Sequence, residues 1–137
     1  MNTATRYGIA ILVIHAVVGI IHKVAHLNLA INLSTRQEIG VVIIFVIAPI
    51  VTLAFLWTSR LRTGFLLLLL TMAASFVFGS VNHFVLITQD HVFHAPRGEL
   101  LWLFQWTAYV LALLEVIGMA VGLWGAIQVG KLRNRIA

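Results

Sequence analysis

Four apolar runs fill most of this chain, and they decide what it can fold into. A bilayer's hydrocarbon core takes about 20 residues of helix to cross. Four stretches meet that length: Tyr7 to Ile31, Ile39 to Thr58, Thr63 to Ile87, and Leu100 to Ile127. Short polar strings separate and end them: "NLSTRQE", "SRLR", "TQDHVFHAPRGE" and "GKLRNRIA". Charged residues make up 9% of the chain, against roughly 25% in soluble domains. No run alternates with a period of two, as a lipid-facing barrel strand would. The expected fold class is therefore all-α: an integral membrane four-helix bundle, residues 1–137 forming a single domain. The first run is longer than a signal-peptide core of roughly 7–15 residues and no small-x-small site follows it, so it is expected to stay in the mature protein.

An even number of spans returns both termini to one side. Arg6, Arg60, Arg62, Lys131, Arg133 and Arg135 then share that side, whereas Arg36 and Arg97 lie opposite. The positive-inside rule puts both termini in the cytoplasm of a protein in the cell membrane. The net charge of +5 is read as this topology signal, so no nucleic-acid partner is expected. With no cysteine, thiolate metal sites and disulfides are excluded. Pro49 in "VIAPIV" removes one backbone donor and crowds the carbonyl of Phe45, so the second helix is expected to kink. Gly118 and Gly122, and Thr71, Ser75 and Gly79, form stripes of small residues that bring helices close. The Gly118/Gly122 face serves either packing within the chain or assembly into a homo-oligomer or larger membrane complex. Trp57, Trp102 and Trp106 fit interfacial belts against the bilayer.

Polar residues inside the spans stand out. In "HAVVGIIHKVAH", His15, Gly19, His22 and His26 follow at steps of four, three and four, which puts them on one helical face. Lys23 falls off that face and can snorkel toward head groups. His26 and His83 each lie about five residues from the outer ends of their helices, so they meet at one depth. His22 and His26 form an H-x-x-x-H pair of the kind that holds metals on helices. The outer loop adds Asp90, His91 and His94 as further ligands or as acceptors that fix a ring tautomer. Imidazole and carboxylate without thiolate suit zinc, copper or iron. Deeper in the membrane, His15 and Glu115 fall within about 6 Å of one another in depth, which fits an intramembrane polar pair. Gln105, Thr107 and Tyr109 extend a polar path on the fourth helix.

Along "FGSVNHF", "QDHVFHAP" and "FQWTAYVLALLEVIG" the chain resembles a family of small four-span bacterial membrane proteins, and its layout is similar to the DoxX-like membrane proteins. That resemblance carries no activity, so no residue role comes from it. The residues themselves leave several functions open. One is a membrane protein with a histidine-rich metal site near the outer face, acting in redox chemistry or metal handling. A second is a haem or other tetrapyrrole-binding electron carrier, with His22 or His26 opposite His83 and with Gly19 and Gly79 making room for the ring. A third is a non-catalytic accessory subunit whose histidines tie helices together. A proton- or cation-coupled transporter built on His15 and Glu115 is a fourth.

Overall fold

The protein is described by a computed structural model covering the backbone of residues 1–134 and side chains through Lys131; Arg135 lies outside the described residues. Four helices are long and apolar enough to cross a membrane: α1 (Thr3–Asn28), α2 (Thr35–Leu56), α3 (Leu61–Val85) and α4 (Leu101–Asn134). Among the described residues there is no strand. The bundle therefore has two faces. One carries the start of α1, the described end of α4 and the α2–α3 turn, and is here the terminal face. The other carries the α1–α2 and α3–α4 connections, and is the loop face.

Local chemistry explains the helix ends. Asn2 caps α1 by accepting the amide of Thr5 at 2.8 Å, which meets one of the orphan donors of the first turn. The helix stops at Asn28 in a Schellman motif: the amide of Ile31 reaches the carbonyl of His26, and that of Ala30 reaches Leu27. The left-handed position falls on Ala30, with φ of 50°, where glycine is the usual residue. The string "NLSTRQE" is not all loop. Ser34 and Gln37 form a reciprocal capping box, so α2 begins at Thr35.

The Pro49 region departs from a plain helix in a specific way. Val42–Ile47 is a π-helical segment, and the amide of Ala48 reaches back five residues to Ile43. Proline cannot supply its own i−4 bond, and the wider turn just before it absorbs the mismatch. A second π turn, Val81–Val85, ends α3.

Packing follows the small residues. A side-chain carbon on Gly122 would come within 2.7 Å of the Leu69 backbone, and one on Gly118 within 2.6 Å of Met72. The Gly118/Gly122 face is thus taken up by α3 within the chain. A core of Leu12, Leu56, Phe65, Leu68 and Met72 lies toward the terminal face. A second, around Ala25, Leu29, Val92 and Phe104, lies toward the loop face. Trp57, Trp102 and Trp106 are exposed on the bundle surface.

Candidate metal centre

His22 and His26 sit one turn apart on α1, and both are buried. His83 comes to them from the π turn of α3. Asn82 helps to shape that turn: its side chain donates to the Phe78 carbonyl at 2.8 Å, and the amide of Leu86 closes on Val81 at 2.8 Å. Gln37 on α2 donates to Asn82 Oδ1 at 2.8 Å and braces it. π turns recur at functional sites because they re-aim one side chain. One ring nitrogen from each of His22, His26 and His83 lies within 4.8 Å of the others, close enough to hold a metal ion. Phe104, fully buried, forms the wall behind them. It stacks on His22 with centroids 5.1 Å apart and meets His26 edge-on at 5.2 Å.

Hydrogen bonds assign the protons. His22 Nδ1 is 2.7 Å from Thr107 Oγ1, and the Thr107 hydroxyl donates to the Leu103 carbonyl at 2.6 Å. A hydroxyl has one proton, so Thr107 accepts from His22, and His22 carries its proton on Nδ1. His83 Nδ1 is 2.9 Å from the Asp90 backbone carbonyl. A carbonyl only accepts, so His83 also carries its proton on Nδ1. In neutral rings both Nε2 atoms are then left as lone pairs. They face each other at 3.3 Å. Two lone pairs at that distance repel unless a proton or a metal ion lies between them. With metal–nitrogen bonds of about 2.0–2.1 Å at a tetrahedral angle, two ligand nitrogens stand about 3.3–3.4 Å apart.

Asp90 closes the group from the loop. Its Oδ1 lies 3.0 Å from His26 Nε2 and 3.3 Å from His83 Nδ1. Both approaches are at ion-pair distance, and His26 Nδ1 is buried with no hydrogen-bond partner among the described residues. Burial alone would push the Asp90 carboxyl up. The imidazoles of His26 and His83 outweigh it and hold the carboxyl well below its usual range. Orphaned buried polar atoms of this kind call for a ligand.

The other predicted residues fall elsewhere. His91 and His94 meet each other, Nδ1 to Nδ1 at 3.0 Å, and His91 Nδ1 also accepts the amide of Phe93 at 3.2 Å. They pin the loop that carries Asp90, outside the group of His22, His26 and His83. His15 and Glu115 come together at 3.2 Å, with Ser75 donating to the same carboxylate oxygen. His15 is also stacked on Phe45, centroids 5.5 Å apart. Gln105 donates to the Val92 carbonyl at 2.8 Å and so serves the loop. Lys23 is exposed on the rim of the cavity beside the cluster. Sequence reasoning passed over Phe104 and over the orienting role of Thr107. Thr107 did carry a signal, a hydroxyl near the loop end of an apolar helix, at the level of the histidines. No family model, curated protein or solved structure matches this chain.

Proposed function

We propose that the protein is a multi-pass cell-membrane protein built around a single transition-metal site, with His22, His26 and His83 as ligands. The observation that carries this reading is the pair of Nε2 lone pairs facing at 3.3 Å, each ring fixed by an acceptor on its Nδ1–H. Metal-binding histidines are oriented this way, by an acceptor on the other ring nitrogen. Three imidazoles leave a fourth tetrahedral position, which Asp90 or an exchangeable ligand takes, and an open position is what catalytic or transfer sites keep. Zinc, copper and iron all suit the donor set, and redox chemistry or metal handling is the matching activity. The arginines of the terminal face support a cytoplasmic position for it, and on that reading the site lies toward the outside.

A haem held between two histidines needs its nitrogens about 4 Å apart on opposite sides of the ring. The 3.3 Å approach of His22 and His83 favours neighbouring positions on one ion instead. The test is elemental analysis and an absorption spectrum on one detergent-purified preparation. The expected result is about one equivalent of zinc, copper or iron per chain, lost in His22→Ala and in His83→Ala, with no Soret band. Full metal content in both variants overturns the proposal, and a Soret band reassigns the histidines to a tetrapyrrole.

A further inference from the structure

The buried stripe of α1 has a gap. Ala4, Gly8, Leu12 and His15 are buried, and so are His22, Ala25, His26 and Leu29. Gly19, on the same face between them, touches nothing: a side-chain carbon there would meet no atom within 4 Å. It borders a cavity of about 450 Å³, within the range of roughly 300–1,000 Å³ typical of small-molecule sites.

Small residues carve this cavity from three helices: Ala16 and Gly19 on α1, Gly79 on α3, and Ala108 and Ala112 on α4. Phe45 and Phe78 supply apolar wall. Both π segments border it, through Phe45 and Val46 on α2 and through His83 and Phe84 on α3. Its rim includes Ile20 and Val46, which are exposed mid-span on α1 and α2. α1 packs on the Ala48–Leu56 part of α2 and, apart from the stack of His15 on Phe45, approaches the part nearer the loop face little. The cavity therefore opens sideways, toward lipid, and not only toward water.

Its two ends are polar. One end is the three-histidine cluster. The other, about 10 Å deeper from the seven-residue rise between His22 and His15, is the His15–Glu115 pair. Both members of the pair are 2% exposed and both border the cavity. Only His15 Nε2 and Glu115 Oε1 are used in hydrogen bonds among the described residues. His15 Nδ1 and Glu115 Oε2 are left over. Both residues line the cavity, and that is where a hydrogen-bond partner for these two atoms can arrive.

We propose that this cavity binds an uncharged, mainly hydrocarbon molecule from the bilayer, and that its single hydroxyl group donates to the free acceptor atoms of the His15–Glu115 pair. Apolar walls and a lateral mouth select a lipid-soluble body. Glu115 disfavours a carboxylate head by like charge, and the unused acceptor atoms select a hydroxyl over a bare alkane. This assignment does not depend on a bound metal.

The test uses the full-length protein in phosphatidylcholine nanodiscs, with and without a chelator, and with metal content measured on the same samples. Tritiated dodecanol, dodecanoate and dodecane are compared by scintillation proximity, with empty discs subtracted. Dodecanol is expected to bind about tenfold or more tightly than either of the others, the scale of one buried hydrogen bond. Gly19→Leu fills open space and is expected to abolish binding of dodecanol while metal content holds. His15→Phe is expected to bring dodecanol down to the level of dodecane without lowering dodecane itself. Equal binding of the three probes overturns the proposal, as does a preference for dodecanoate or undiminished dodecanol binding in Gly19→Leu. Dodecanol binding that persists in the chelated samples supports the cavity apart from the metal site, and binding lost together with the metal overturns the proposal.

Discussion

Thr107→Val tests the proton assignment on which the metal site rests. The substitution keeps the β-branched shape on α4 and leaves His22, His26 and His83 in place. It removes the hydroxyl that accepts from His22 Nδ1–H, a contact of 2.7 Å to a ring 7% exposed. Two responses are open to the ring. It can keep its proton on Nδ1, with a buried donor unmatched at a cost of about 1–3 kcal/mol. Or it can move the proton to Nε2 and lose the lone pair that faces His83. Either response weakens a metal by about 10–100-fold, the usual scale for losing an orienting partner, or about 1.4–2.7 kcal/mol. Zinc affinity measured by competition with a chromophoric chelator in detergent reads this directly, with thermal unfolding of the metal-free protein as the control for fold. Thr107→Ser keeps the hydroxyl and is expected to bind zinc nearly as the parent does. Equal affinity in the Val and Ser variants would refute the reasoning, because the hydroxyl would then have no part in setting the tautomer.

Three further outcomes follow from packing and capping. Gly122→Ala drives a carbon to 2.7 Å from the Leu69 backbone, which cannot swing aside, so stability in detergent is expected to fall by about 1–3 kcal/mol, while Gly19→Ala, with open space around it, is expected to raise stability by about 1 kcal/mol. His15→Leu strands the Glu115 carboxyl at 2% exposure and is expected to cost about 3–5 kcal/mol, most of it recovered in the His15→Leu/Glu115→Leu double variant, as chemical denaturation of the three proteins would show. Ala30→Gly relieves a left-handed residue at φ of 50° and is expected to stabilise by about 1 kcal/mol, read as a higher melting temperature.

The spans were legible because the bilayer imposes one requirement, length of apolar helix, that sequence states openly. The helix start inside "NLSTRQE" was hidden for the opposite reason. Its polar residues looked like loop, and only the pairing of Ser34 with Gln37 makes them the first turn of α2. The kink expected at Pro49 became a π segment because the chain can insert an extra residue in the turn as readily as it can bend. The histidine stripe was legible from its spacing, and the meeting of His26 with His83 from matched depth. Spacing fixes which face of α1 they share, and depth fixes the level. Neither fixes how α4 is rotated about its own axis, so Phe104 and Thr107 could not be placed. His91 and His94 show the limit of composition: two histidines beside an aspartate look like ligands, but in the fold they bond to each other and hold the loop.

The spacing of α1 carries one more consequence. A helix that faces a bundle along its whole length buries a residue at every turn. α1 does so at His15 and again at His22, and misses at Gly19. Had that position been filled by leucine, the stripe would be continuous and α1 could close against the nearby part of α2. Glycine there is poor for helix stability, by about 1 kcal/mol against alanine, and no close packing contact compensates for it. The π segments Val42–Ile47 on α2 and Val81–Val85 on α3 border the same space. Two departures from regular α-helix and one unfilled glycine position, on three different helices, thus converge on one cavity. A fold selected only to pack would have removed them, so the void between the two polar clusters is better read as a feature the sequence maintains than as a packing fault.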